Sequence, residues 1–350
     1  MKRDELIAIF VQLGKVCDQL GKGKEWESCE IGVTDAEYEN LKYIVNRQFV
    51  YNGWYTKENV QRALLDWSVL LTEAKMSDWL DNYTFSENPK NVGVIMAGNI
   101  PLVGFHDFAS VILSGNIAAT KMSSDDSTLL PVLLEMMVKW NPDFAKHFRL
   151  TAGKIGDIDA LIATGSNNTV QHFEQYFGHL PHIFRKNRTS IAILDGTESF
   201  EERKGLGSDI FTYFGLGCRN VSHMMLPENY DIDLFFKGIF EYSDVVYNKK
   251  YGNNYDYNKA IFLMNKHNLL DNNFILLKET EDLHSPLAMV YHHTYSSQRD
   301  IDNYLNKHEA EIQAVIGHGY LPFGSAQSPA WEDYADGIDT LAWLTELKSV

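Results

Sequence analysis

Near the N-terminus apolar residues recur at three- and four-residue steps: Leu6, Phe10, Leu13, Cys17 and Leu20, then Val60, Leu64, Trp67 and Leu71. That spacing returns side chains to one face of a helix, so residues 1–88 are expected to be mainly helical, with both stripes packed in a core. From Val92 the texture changes. Short apolar runs at 92–96, 117–122, 161–163 and 191–194 alternate with helical spacing at 107–113, 129–140 and 170–177. Runs that are apolar on both faces read as strands buried in a parallel sheet, and the alternation reads as βαβ units.

A second block of the same kind starts near Gly196. It predicts a helix over 200–214, the string GLGC, a strand over 222–226, a helix over 232–246, and strands near 274–277 and 289–295. The fold class is therefore α/β, with two domains and mainly parallel sheets behind a helical N-terminal region. The expected boundaries are 1–195, 196–325, and a C-terminal segment, 326–350, packing back on the body. No Pro- or Ser-rich linker separates the blocks, so the domains are expected to flank a cleft, with ligands beyond the carboxyl ends of the strands.

Composition narrows the function. Hydrophobic residues make up 45% and charged residues 22% of the 350, as in a folded protein. A formal charge of −16 argues against nucleic acid and against an anionic membrane surface. A phosphorylated cofactor would need a local reversal of that field, and the clearest one is RKNR, residues 185–188, which reads equally well as a solvated turn. Cys17, Cys29 and Cys218 are odd in number and have no paired spacing, which suits a reducing, cytoplasmic compartment. The first twenty residues mix charges with apolar positions, unlike a signal peptide, and no run is long enough to cross a bilayer. His292 and His293 fall on opposite faces of a strand, and His308 and His318 have no ligand spacing, so no metal is expected.

Four strings carry candidate chemistry. Cys218 sits in GLGCRN, with Gly215 and Gly217 before it and Arg219 after it. A thiol at a glycine turn is open to substrate, and a positive charge with exposed N–H groups favours the reactive thiolate, although free cysteines are commonly small buried apolar residues. MAGNIP, residues 96–101, places the amide of Asn99 where a strand ends, as an oxyanion donor or a plain turn residue. GNIAATKMSS, residues 115–124, ends a strand at Lys121, followed by Ser123, Ser124, Asp125 and Asp126. Such a lysine meets a cofactor ribose or phosphate, or merely caps the strand in solvent. ATGS, residues 163–166, offers the N–H groups of Gly165 and Ser166 to a pyrophosphate. The full GxGxxG pattern is absent, which disfavours an ordinary Rossmann dehydrogenase.

The order of these strings, NIP, GN with Lys121, TGS, GLGC and finally LPFGSAQSP at 321–329, resembles the aldehyde dehydrogenase superfamily over about residues 90–345. Within it, AGNIP, GLGCRNVS and FGSAQSPAWEDYADGIDTLAWL resemble the LuxC-type acyl-CoA reductases, which make fatty aldehydes. The resemblance implies Cys218 as nucleophile, Asn99 as oxyanion donor, Lys121 as cofactor ligand, and Gly165 and Ser166 at the cofactor phosphates. It also implies a homo-oligomer and leaves room for an acyl-activating partner protein.

Departures from the superfamily refine the expectation. Phe184 aligns with the glutamate that activates water in hydrolytic members, so the acyl-enzyme should exchange with a thiol such as coenzyme A. Ser124 replaces the glutamate that often holds both ribose hydroxyls, which makes room for a 2′-phosphate and favours NADPH, subject to the charges of Asp125 and Asp126. DLHSP, residues 282–286, stands in imperfectly for the motif that grips the nicotinamide ribose. The expected activity is NADPH-dependent reduction of an acyl-CoA, or another acyl thioester, to an aldehyde. The alternatives are a non-redox cysteine acyltransferase and a catalytically inactive scaffold.

Overall fold

The computed structural model describes residues 1–26 and 32–347, so Cys29 lies outside the described residues. The chain divides into two compact units: Met1–Lys186 with Ala330–Val350, and Asn187–Pro329.

The first unit opens with helices α1 (Arg3–Gly21), α2 (Asp35–Asn46), α3 (Gln48–Tyr51), α4 (Lys57–Leu70) and α5 (Glu73–Leu80). Both expected stripes are present. Leu6, Phe10, Leu13, Cys17 and Leu20 on α1, and Val60 and Leu64 on α4, are buried in one apolar core. Thr34, Thr56 and Thr72 cap α2, α4 and α5 by accepting from an amide in the first turn, which ends the connecting segments.

The sheet of this unit is built from β1 (Asn91–Ile95), β2 (Ile117–Lys121), β3 (Phe148–Thr151), β4 (Ala160–Thr164) and β5 (His182–Arg185), with α6 (Phe105–Leu113), α7 (Leu129–Trp140) and α8 (Asn167–Phe177) between strands. Its order is β3-β2-β1-β4-β5, and every pairing is parallel. The central strands β1 and β4 are buried along most of their length, as their uninterrupted apolar runs require.

The second unit begins with β6 (Thr189–Ile193), which pairs with later strands and not with the first sheet. The chain therefore changes unit before this strand, at 186/187, where the sequence placed the change after it, at 195/196. Next come α9 (Phe200–Phe211), β7 (Val221–Pro227), α10 (Ile232–Gly238), α11 (Lys249–Met264), β8 (Leu270–Asp271), β9 (Leu276–Glu279), β10 (Met289–Tyr295), α12 (Gln298–Lys307) and β11 (Ile312–Gly317). The sheet order is β11-β6-β7-β10-β9-β8, parallel except for the β8–β9 edge pair.

From Ala330 the chain rejoins the first unit and ends in α13 (Thr340–Thr345). Trp331 stacks on Trp79 with centroids 4.3 Å apart, and its indole N–H donates to the Leu70 carbonyl at 3.0 Å. Among the described residues no helix is long and apolar enough to cross a membrane.

Candidate active site

In the first unit, Ile95 on β1 stands opposite Lys121 on β2 and Ala163 on β4. The chain thus leaves these three strands side by side, and Asn99, Lys121, Gly165 and Ser166 share one edge of the sheet. Winding reverses between β1 and β4, since β2 and β3 lie to one side and β5 to the other. Crevices at such reversals, outside the carboxyl ends of the strands, are where open α/β sheets take ligands.

The turns after β1 and β2 are tied together. Met96 N–H donates to Lys121 O at 3.0 Å, extending the ladder past the strand end. A Cβ at Gly98 would stand 2.5 Å from Ser123 Oγ and 3.1 Å from Asp126 N, so only glycine lets the turns approach this closely. Leu102, in a left-handed conformation with φ 57°, donates its amide to Asp126 Oδ2 at 2.9 Å. Burial pushes the Asp126 carboxyl up to about 6, against the lowering effect of the Leu102 amide. Asp126 is thereby turned inward, while Ser124 and Asp125 are exposed.

After β4, Ser166 caps α8 by accepting from Thr169 N–H at 3.3 Å, and the helix starts at the sheet edge. The Gly165 N–H donates to Arg185 O at 3.2 Å, so it belongs to the β-ladder and the turn's donors begin at Ser166. Phe184 stacks on His182 with centroids 4.0 Å apart.

The string RKNR departs from its expected role. Arg185 is 4% exposed and holds Asp107 of α6 through Nε at 3.1 Å and Nη2 at 2.7 Å. It also donates to Ala335 O at 2.6 Å and Thr340 Oγ1 at 2.7 Å. Arg188 donates to Ile312 O at 3.0 Å. Arg185 is a structural tie and not a phosphate contact: its alternating position in β5 points it inward, toward a buried carboxylate that the sequence did not reveal as its partner.

In the second unit Cys218 is exposed, three residues before β7. The approach to it is unusual, with Tyr213, Phe214 and Gly215 successively left-handed at φ 55°, 59° and 80°. Two of the three are not glycine, which stores strain next to the thiol. Asn220 holds the turn from beneath: its Oδ1 accepts Gly217 N–H at 2.8 Å, and its Nδ2 reaches the carbonyls of Asp209, Ile210 and Thr212 at 3.0, 3.2 and 2.9 Å. Ser190 Oγ donates to Cys218 O at 3.1 Å. The segment after DLHSP closes on the same loop, since Leu287 lies 3.6 Å from where a Cβ of Gly215 would stand.

LPFGSAQSP is anchored by Asp209, a fully buried carboxylate on α9 that accepts from Gly324 N–H at 2.6 Å and Ala326 N–H at 3.0 Å. Burial pushes it up to about 6, against both amides. Sequence reading missed Asn220 and Asp209. The signal available for Asp209 was a charge on the apolar side of a predicted helix.

Among the described residues no group of three or more His, Cys, Asp or Glu side chains is placed to hold a metal ion. The first-unit edge does fit a phosphorylated dinucleotide, because it combines a lysine at a strand end, a capped helix N-terminus at a winding reversal, and an inward-turned Asp126.

Comparison with known proteins agrees with this reading of the fold. A LuxC acyl-CoA reductase family model matches residues 33–220, more than half the chain, and includes Cys218. A sequence comparison with curated proteins finds no match. Among solved structures, an NADP-dependent enzyme from E. coli is similar with TM-score 0.66 at 10% identity, covering 96% of this chain and 76% of that one. An NAD-dependent aldehyde dehydrogenase from Sinorhizobium meliloti gives 0.63 at 11%, covering 90% and 70%. An aldehyde dehydrogenase from Physcomitrella patens in complex with its product succinate gives 0.59 at 13%, covering 91% and 74%. These likenesses show an aldehyde dehydrogenase-like fold. On the match across residues 33–220 and on that scaffold, the chain belongs to the LuxC family of acyl-CoA reductases, oxidoreductases that reduce acyl-CoA to aldehyde.

Proposed function

We propose that this protein reduces a fatty acyl-CoA to the aldehyde with NADPH, through an acyl-enzyme on Cys218. The observation that carries the reading is an exposed thiol on a strained glycine turn whose backbone is pinned by Asn220 and Ser190. The Cys218 thiolate attacks the thioester carbonyl, the carbonyl electron pair moves to oxygen, and the coenzyme A thiolate leaves as the carbonyl re-forms. The oxyanion is assigned to the side-chain amide of Asn99 and the backbone N–H of Cys218.

Bound NADPH supplies the hydride that takes the acyl group to the aldehyde level. Lys121 and Ser124 are assigned to its ribose and 2′-phosphate, and Ser166 with the first turn of α8 to its pyrophosphate, Gly165 giving the backbone its close approach. Aldehyde release returns the electron pair to sulfur. Phe184 supplies no base for water, so coenzyme A and not water is the exchanging nucleophile in the reverse direction. The cytoplasm and a homo-oligomeric state complete the proposal, with a carrier protein or acyl-activating partner as the alternative donor to acyl-CoA.

The test is acyl-CoA-dependent NADPH oxidation in Cys218→Ala, with a loss of about a thousandfold or more expected. Full activity in the variant overturns the nucleophile. Retention of a labelled acyl group on Cys218 separates the enzyme from a scaffold, and equilibrium binding of NADPH separates it from a non-redox acyltransferase. A strong preference for NADH overturns the Ser124 assignment.

A further inference from the structure

We propose that Tyr55 and Asp126 are positioning residues, a buried polar lock that fixes the Asn99 turn to the Lys121–Ser124 turn and ties both to the N-terminal helices. The inference rests on the roles assigned above to Asn99, Lys121 and Ser124.

Tyr55 lies between α3 and α4 and is 1% exposed, yet its hydroxyl reaches across to donate to Gly98 O at 3.0 Å. The Asp126 carboxyl lies against that hydroxyl and accepts Leu102 N–H through Oδ2. Tyr55 and Asp126 thus grip both ends of the 98–102 turn, and Asn99 sits within it. The same N-terminal stretch holds the second turn. Asn52 Nδ2 donates to Asp125 O at 3.3 Å, and Thr128 Oγ1 donates to Gln48 Oε1 at 2.8 Å. Gln48, Asn52 and Tyr55 are all buried.

The energetics argue for more than fold maintenance. Asp126 Oδ1 is buried without a hydrogen-bond partner, an arrangement that costs stability and that an apolar side chain would avoid. A proton on that carboxyl completes a chain, with the acid donating to Tyr55 Oη and the phenol donating to Gly98 O. The groups bearing on this carboxyl are Tyr55 from the α3–α4 connection and Leu102 from the facing turn, and Tyr55 in turn feels Asp125. Asparagine in place of Asp126 offers the same acceptor to Leu102 and an N–H donor to Tyr55, so it preserves the lock, whereas alanine removes it.

The experiment compares the full-length protein with Asp126→Asn, Asp126→Ala and Tyr55→Phe, measuring kcat, KM for acyl-CoA, the thermal midpoint, and hydrogen exchange across residues 98–102. D126N is expected within about threefold of the parent in kcat. D126A and Y55F are expected to lose about tenfold or more in kcat, with KM for acyl-CoA within about threefold, because a displaced donor weakens the transition state more than the ground state. Exchange across 98–102 should rise in D126A and Y55F but not in D126N. Parent-like kcat in D126A and Y55F overturns the proposal, and so does equal loss in D126N and D126A that tracks the thermal midpoint. Should the parent itself show no acyl-CoA-dependent NADPH oxidation, the proposed function falls while exchange still reads the lock: faster in D126A supports it, unchanged overturns it.

Discussion

Asn220 commits its side chain entirely to backbone, accepting one amide on the Cys218 side and donating to three carbonyls at the end of α9. Asn220→Ala leaves those groups unpaired in a buried place, which should cost about 2–3 kcal/mol and loosen the Cys218 turn. A urea midpoint and the rate of Cys218 alkylation check it; an unchanged midpoint refutes the account. His318 presents a different residue-scale consequence. Its ring lies between Asp195 at 2.8 Å and Glu202 at 2.9 Å, and these carboxylates push it up to about 9. The folded value exceeds the unfolded one near 6.5, so the stabilisation is complete below about 6.5 and is lost as pH rises through about 9. The three groups are solvent-exposed and their contribution is small, so the measurement is the ring's own titration by NMR, which should sit near 9 and fall in high salt. An ordinary midpoint near 6.5 would refute the bridge. The exposed turn at Cys218 was legible because its own neighbours are glycine and arginine. Tyr55, Asp126 and Asp209 were not, since Tyr55 answers Gly98 and Asp209 answers Gly324 across long stretches of chain.

At the scale of elements, legibility followed burial. Helices α1 and α4 and strands β1, β2, β4, β6, β7 and β10 announce themselves by continuous stripes or runs of apolar residues. Strands β3 and β5, at the edges of the first sheet, and β11, at an edge of the second, are only partly buried and mix polar residues into short runs. Helix α12 buries little beyond Ile301 and Tyr304, and its start is marked by the Ser297–Asp300 capping box, a weaker signal than a stripe. Edge strand β5 nevertheless carries a buried ion pair, Arg185–Asp107, with Nη2 and Oδ1 2.7 Å apart. Replacing Arg185 by Met strands Asp107 as an unpaired buried charge and also frees Ala335 and Thr340, so unfolding stability should fall by about 3–5 kcal/mol. Adding Asp107→Leu in the same chain should recover much of that loss. A double variant as unstable as the single would show that packing, and not the stranded charge, sets the cost.

For the molecule as a whole, the decisive feature is that the second unit is inserted in the first: the chain leaves at Lys186 and returns at Ala330. The βαβ alternation disclosed both units, and the segment 326–350 was expected to pack back on the body, but the residues that WEDYADGIDTLAWL meets were not legible, because they lie far back along the chain. Those partners come from the N-terminal half. Trp331 is 2% exposed, stacks on Trp79, and lies 5.6 Å from Trp67 by ring centroid. His106 Nε2 meets its carbonyl at 3.0 Å, and the Trp79 indole donates to Tyr334 Oη at 2.8 Å. The segment is thus a core element of the first unit supplied from far along the chain, and closing that loop depends on the indole that anchors it. Trp331→Ala removes a large buried side chain from a packed aromatic cluster and should cost about 3–5 kcal/mol. If the units open as separate cooperative blocks, hydrogen exchange should quicken in α1, α4, α5 and α6 while the strands of the second sheet keep their protection. Equal loss of protection in β6, β7 and β10 would instead make the two units a single cooperative body, with the stability of the Cys218 turn then set by an indole in the other unit.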